Sequence, residues 1–452
     1  MTDHQTLGAS LIVGVVGTGH VGIVTSLSLA AVGHRVVGCD SDPAKVKALA
    51  GGRMPFHEPG GQEMLEEELA GGRLTFATET AAAVSNADVV FICVGTPARA
   101  SGEANLLAVE RAARDIAGAA TGPLVMVEKS TVPAGTAGHL ERMLVQERPD
   151  LAGALDVVSN PEFLREGRAL NDALSPARIL VGASSARAFD VMRRLYRPFL
   201  DDGVQLIETD ITSAELAKHA SNAFLALKIS YVNALARLCE ASGADIEAVA
   251  RVMGADPRIG PEFLGAGLGF GGYCFPKDLR AFERLSERLG YPFPMLAEVA
   301  RINDEAIQAA LAKIRDVVWN LEGKRVALLG LSYKPDTDDV RFSPALTLAR
   351  HLLAEGATVV GFDPVAGAAA QAEVPELELA ADPYAAATDA HCVVVCTAWD
   401  ELRGLDLQEL GARMAAKNLV DGRNLLDGPT ATAAGFTYRA MGRPDPSIGS
   451  AP

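Results

Sequence analysis

The chain has 452 residues, more than one hydrophobic core usually serves, so two or three domains are expected. Hydrophobic residues make up 49% and charged residues 22%, which excludes a disordered or fibrous chain. The net charge of −16 sets the molecule as a whole against nucleic acid and anionic lipid, so neither is expected as a partner. Cys39, Cys93, Cys239, Cys274, Cys392 and Cys396 contain no CxxC pair, so neither a disulfide framework nor a metal site is expected, and a reducing, cytoplasmic compartment is. The opening MTDHQTLGAS lacks the basic region of a signal peptide. The apolar run 11–33 is interrupted by His20 and glycines, and reads as strand, turn and helix, not as a membrane span.

In chain order, LIVGVVG (11–17), RVVGCD (35–40), DVVFICVG (88–95), LVMVEKS (124–130) and DVVSNP (156–161) are continuous apolar runs separated by helix-length segments. That pattern predicts a parallel sheet covered on both faces, in a first domain of 1–205. From about 212, some thirty residues carry apolar positions at helical spacing without Gly or Pro. The resulting helix, about 45 Å long at 1.5 Å per residue, predicts a spine between domains, a dimer surface, or both, within a central block of 206–320. A second helical stretch covers 294–322. The strand pattern then restarts at 324–333, 358–364 and 391–399, and EGATVVGFDP echoes the earlier VGHRVVGCDSDP. The prediction is an α/β chain with two Rossmann-like, doubly wound parallel sheets joined by a long central helix. The second sheet falls in 321–438, before a mobile tail of 439–452.

Gly17, Gly19 and Gly22 form a GxGxxG directly after a strand and at the opening of a helix, and Asp40 closes the next strand 23 residues after Gly17. The glycines give a tight turn, close approach of a pyrophosphate and close helix packing, while an acid at Asp40 binds ribose hydroxyls and repels a 2′-phosphate. NAD is therefore the expected cofactor. The equivalent turn of the second sheet, GLSYK (330–334), lacks the fingerprint and suits a nucleotide held by Lys334 better than a second NAD. In FGGYCFPKD (270–278), two glycines let a substrate approach Cys274, with Lys277 and Asp278 beside it, which points to a nucleophile. Glu162 and Glu166 are four apart and would share a face on a helical turn. Lys218 and Asn222 are four apart on the long helix, where a Lys on an apolar stripe must pair or work. Thr131 follows a strand end, where open α/β sheets bind ligands.

These segments together resemble the UDP-glucose/GDP-mannose dehydrogenase family, over nearly the whole chain. The match runs from GTGHVG through CVGTP, EKSTVPAGT, NPEFLREG, AKHASNAF and GFGGYCFPKD to SYKPDTDDVR and DGRN. The resemblance implies a four-electron oxidation of a sugar C6 alcohol to a carboxylate with two NAD+. The implied substrate is a UDP-sugar, UDP-glucose ahead of a UDP-N-acetylhexosamine, with GDP-mannose as the other alternative. It implies that Cys274 forms the covalent intermediate, that Lys218 and Asn222 stabilise the oxyanion, and that Asp278, Thr131 and Glu162 handle protons. Cofactor contacts carry over to Val21, Asp40, Lys45, Thr96, Thr131, Glu166, Lys277 and Arg341. Substrate contacts carry over to Glu162, Phe163, Leu164, Arg165, Glu166, Lys218, Asn222, Phe263, Leu264, Gly265, Ala266, Gly267, Gly271 and Lys334. Arg423 and Arg258 reach nucleotide or sugar acid, Arg258 from a partner subunit, in a homodimer built on the central helix. Three departures stand out: Tyr273 where the family usually has Ser, Gly265 where Lys or Asn is common, and Gly61 in place of Leu.

Overall fold

The structure, a computed structural model, describes residues 10–444. The expectation for the opening segment therefore falls, but for Ser10, outside the described residues, and so does that for 445–452 of the tail. The described chain divides into two compact units. The first runs to Ser221 and takes in Arg280–Gly290; the second comprises Asn222–Leu279 and the chain from Tyr291 onward. The segment 206–320, read from sequence as a central domain, is thus divided between them.

The first unit is built on eight strands: β1 Ile12–Val16, β2 Arg35–Cys39, β3 Leu74–Ala77, β4 Val89–Ile92, β5 Leu124–Glu128, β6 Leu155–Ser159, β7 Ile179–Gly182 and β8 Leu206–Thr209. Their order is β3-β2-β1-β4-β5-β6-β7-β8. Neighbours are parallel except β6 and β7, which meet antiparallel at Ser159 and Gly182, a departure from the purely parallel sheet expected. The apolar runs are continuous because both faces are covered. In β4, Val89 and Phe91 pack with Ile23, Val24 and Leu27 on one side, while Val90 and Ile92 pack with Val109, Ile116 and Leu140 on the other.

The second unit repeats the plan with six strands: β9 Arg325–Leu329, β10 Thr358–Phe362, β11 Glu378–Leu379, β12 Cys392–Val395, β13 Asn418–Asp421 and β14 Thr437–Ala440. Their order, β11-β10-β9-β12-β13-β14, is that of the first six strands of the other sheet, and every pairing is parallel. Val326 and Leu328 face one core and Ala327 and Leu329 the other. The expected doubly wound fold is present in both units.

The expected strands end up to four residues later than the observed ones, because each apolar run continues into the turn that follows the strand. The long helix spans Ile211–Ser242, 32 residues, and the boundary between units falls inside it. Helices Cys274–Arg288 and Pro294–Val318 follow. The tail expected from 439 starts too early. Residues 439–440 finish β14, Met441 is buried, and Gly442 donates its N–H to Glu240 and accepts one from Ile246.

Candidate active site

In the first unit the expected cofactor residues follow the carboxyl ends of β1, β2, β4 and β5, except Glu166, which follows β6. Gly17 has φ +95°, and a Cβ there would stand 2.7 Å from the Cys93 carbonyl oxygen; one on Gly22 would stand 1.8 Å from that of Gly17. Both must be glycine for the turn to close. A Cβ on Gly19 meets nothing within 4 Å, so that face is open to a ligand. The helix His20–Ala31 starts there with no side-chain cap, its first amides directed outward beside Val21. Asp40 Oδ2 accepts the N–H of Thr18 at 2.9 Å, its hydroxyl at 3.0 Å and Lys45 Nζ at 2.8 Å. Burial pushes this carboxyl up, but the hydrogen bonds from Lys45, Thr18 and Asp42 outweigh it and hold Asp40 below the usual range. An uncapped helix start, an open glycine and an ionised acid fit a dinucleotide diphosphate and its ribose.

Farther along the same edge, the Thr96 hydroxyl donates to the Thr131 carbonyl at 3.0 Å, joining two expected cofactor residues. The Thr131 segment is held from behind by the long helix. Glu215 accepts the N–H groups of Gly135 (2.6 Å) and Ala137 (2.7 Å), and the His219 ring meets the Val132 carbonyl at 3.0 Å. Burial pushes Glu215 up to about 7, against the pull of those amides. Behind it Glu128 ends β5 fully buried, with no hydrogen-bond partner on either carboxylate oxygen, and burial raises it well above the ordinary range.

Lys218, on the same helix, forms a buried ion pair with Glu162, Nζ to Oε1 2.9 Å. Glu162 Oε2 accepts the Leu164 N–H at 2.6 Å, and the Phe163 ring lies under Arg178 at 3.8 Å and Lys218 at 5.2 Å. Lys129 donates to Asn160 Oδ1 at 3.0 Å; burial lowers its pKa, and Lys218 nearby adds to the effect. The helical-turn argument for Glu162 and Glu166 does not hold, because no helix forms until Ala169. The loop is shaped instead by Glu58, which accepts the N–H groups of Gly167 (2.9 Å) and Leu170 (3.1 Å). Arg165 forms a bidentate pair with Asp172.

In the second unit, Cys274 is the first residue of its helix, where the macrodipole favours negative charge, and it is the one exposed thiol of six. The other five are buried, and burial pushes Cys93 and Cys396 up to about 12. One turn on, Asp278 receives Lys277 Nζ at 2.6 Å on Oδ1 and Asn222 Nδ2 at 2.6 Å on Oδ2. The glycines before the cysteine also serve packing within the second unit. A Cβ on Gly271 would stand 2.3 Å from the Phe342 carbonyl oxygen, and one on Gly272 2.7 Å from the Tyr333 ring. They let this loop press onto the segment 333–342, where Gly272 also donates its N–H to the Arg341 carbonyl.

Of the expected substrate loop, Leu264 and Ala266 are buried, Gly265 faces open space, Phe263 holds a left-handed φ of 64°, and Gly267 donates to Asn233. Arg423 is held by the carbonyls of Cys396 (2.7 Å) and Gly269 (3.2 Å), and so braces this loop. Lys334 lies over the Tyr333 ring at 5.6 Å. Arg258 is exposed and paired with Asp256. Sequence reasoning passed over Glu58, Glu215 and His219; the EPG turn around Glu58 was the one local signal.

Models of the UDP-glucose/GDP-mannose dehydrogenase family match three stretches: the NAD binding domain at residues 11–200, the central domain at 212–305 and the UDP binding domain at 327–428. The chain is 42% identical over 435 residues to the UDP-glucose 6-dehydrogenase of Rhizobium meliloti, covering 95% of this chain and 99% of that one. It is 40% identical over 433 residues to a UDP-glucose 6-dehydrogenase of Bacillus subtilis, covering 96% and 93%. A solved UDP-glucose dehydrogenase from the archaeon Pyrobaculum islandicum matches with a TM-score of 0.89 at 39% identity, over 98% of this chain and all of that one. No helix among the described residues is long and apolar enough to cross a membrane.

Proposed function

The chain belongs to the UDP-glucose/GDP-mannose dehydrogenase family and is an NAD-dependent oxidoreductase, and from that premise we propose that it oxidises UDP-glucose to UDP-glucuronate. The relatives near 40% identity carry that activity in their names, and the observation that carries the chemistry is Cys274. It is a lone exposed thiol at a helix start, one turn before a buried Lys277–Asp278–Asn222 chain.

NAD, when bound, accepts hydride at each of two oxidations. Gly17, Gly19, Val21, Gly22, Asp40, Lys45, Thr96, Thr131, Glu166, Lys277 and Arg341 hold it in this reading. The C6 alcohol first loses hydride and a proton to become an aldehyde. The Cys274 thiolate then adds to the carbonyl carbon, and Lys218 and Asn222 stabilise the oxygen as it gains charge. The thiohemiacetal loses the second hydride and its hydroxyl proton to become a thioester. Water hydrolyses that bond, releasing the carboxylate and the thiol. Asp278 and a water held by Thr131 and Glu162 move the protons. The loop 263–267, Gly271, Lys334, Arg423 and the stretch 162–166 hold the UDP-sugar.

A homodimer through the long helix belongs to the same reading. Phe224, Tyr231 and Leu238, seven residues apart, are 61%, 51% and 65% exposed, a stripe suited to a second copy. Supplying UDP-glucose as sole substrate tests the proposal. Two NADH per UDP-glucuronate are expected, and a yield of one, or faster turnover of GDP-mannose, defeats it.

A further inference from the structure

Tyr273 stands one residue before the nucleophile, where a phenol in place of serine would be expected to narrow the pocket or to donate to the sugar. Its ring does something else. The Arg341 guanidinium carbon lies 4.5 Å from the ring centroid and Lys277 Nζ lies 5.7 Å from it. Both distances are within the range at which a cation is attracted by the ring quadrupole. Two like charges near one ring would repel each other unless each were also held from another side, and both are. Arg341 makes a bidentate pair with Asp339 through its Nε–Nη2 edge, and Lys277 pairs with Asp278.

Each cation thus has a carboxylate on one side, and the aromatic face adds a second constraint that fixes its orientation. With its edge on Asp339 and its face on Tyr273, the Arg341 guanidinium has its plane fixed. The backbone ties the same pieces together, since Gly272 donates its N–H to the Arg341 carbonyl at 3.0 Å. The ring therefore couples the placement of two cations to the loop that carries the thiol. A serine has no face with which to do this.

We infer that Tyr273 is a positioning residue for the cofactor, its ring serving as the platform that fixes Arg341 and Lys277 for their part in binding NAD. This rests on the reading that both cations face NAD. The full-length enzyme is tested with UDP-glucose saturating and NAD varied. Tyr273→Ser is expected to raise KM for NAD about three- to thirty-fold, with kcat and the KM for UDP-glucose moving less. Tyr273→Phe, which keeps the ring, recovers most of that loss. In an Arg341→Ala background, Tyr273→Ser adds less than it does alone.

The inference is overturned if Tyr273→Ser leaves KM for NAD unchanged. It is also overturned if Tyr273→Phe does no better than Tyr273→Ser, which would assign the hydroxyl and not the ring. Arg341→Ala separates the two layers. If it leaves KM for NAD where it was, the cofactor assignment of Arg341 falls and the platform with it. If it raises KM and Tyr273→Ser does not, only the role of Tyr273 falls.

Discussion

Asp363 closes the turn after β9 in the way that Asp40 closes the turn after β1. Asp363 Oδ2 accepts the N–H groups of Leu331 (2.7 Å) and Ser332 (3.0 Å) and the Ser332 hydroxyl (3.2 Å). The first glycines of the two turns, Gly17 and Gly330, share a left-handed φ of 95° and 88° and donate to equivalent carbonyls at the ends of β2 and β10. The two sites diverge in their last donor. Lys45 approaches Asp40, whereas the buried Trp399 indole donates to Asp363 at 3.1 Å and occupies the space beside it. The same turn chemistry therefore ends on a lysine ammonium in one sheet and on an indole in the other.

Asp40→Asn keeps the shape of the side chain and removes its charge. Losing a charge-assisted hydrogen bond to ribose is expected to raise KM for NAD about ten-fold, with NADP gaining relative to NAD because the repulsion of its extra phosphate is gone. Steady-state kinetics with both cofactors measure this, and an unchanged preference would remove Asp40 from the site.

Cys274→Ala is expected to abolish formation of the acid while leaving binding of NAD within two-fold, measured by calorimetry and by product analysis. Substantial remaining turnover to UDP-glucuronate would exclude a thioester. Lys218→Ala should lose activity and stability together. It leaves Glu162 buried without its partner, at a cost of about 3–5 kcal/mol in denaturant unfolding.

Glu215 gives a pH signature. Its carboxyl titrates near 4.5 in the unfolded chain and near 7 in the fold, so the fold holds the proton more tightly. Its stabilising contribution is full below pH 4.5 and is lost as pH rises through 7, about 3 kcal/mol in all. Glu215→Gln is insensitive over that window. Chemical denaturation at pH 5 and pH 8 should show the variant gaining on the wild type as pH rises. A constant difference between them would mean that Glu215 titrates normally.

Glu58→Ala strands two buried amides, those of Gly167 and Leu170. The expected loss is about 2–4 kcal/mol of stability, together with a raised KM for the sugar nucleotide, since this bond pair shapes the loop that carries Glu162. Glu58→Gln, which retains one acceptor, should fall between the two. A stability loss with no change in KM would mean that the loop keeps its form unaided.

Sequence disclosed the parts whose physics is local. A glycine turn after an apolar strand, an acid at the next strand end and a thirty-residue apolar stripe each have one structural solution, and all three are present. The failures share a cause. Glu58 reaches an amide 109 residues away, and the bonds from Glu215 and His219 to the Thr131 segment span 78 to 87 residues, so no local pattern announces them. The packing of the glycines at 271 and 272 against Phe342 and Tyr333 is hidden for the same reason, because those surfaces lie in a distant stretch. Six short strands escape the apolar pattern: β3, β8, β11 and β14 are half-exposed sheet edges, and β7 and β13, though buried, are only four residues long.

Five buried thiols and one exposed at a helix start make the protein its own titrant. An alkylating reagent such as iodoacetamide should label one position per native chain and six after denaturation. The native count per chain is the fraction of molecules in a preparation whose nucleophile is intact, and the denatured count less five checks it, before any sugar is added.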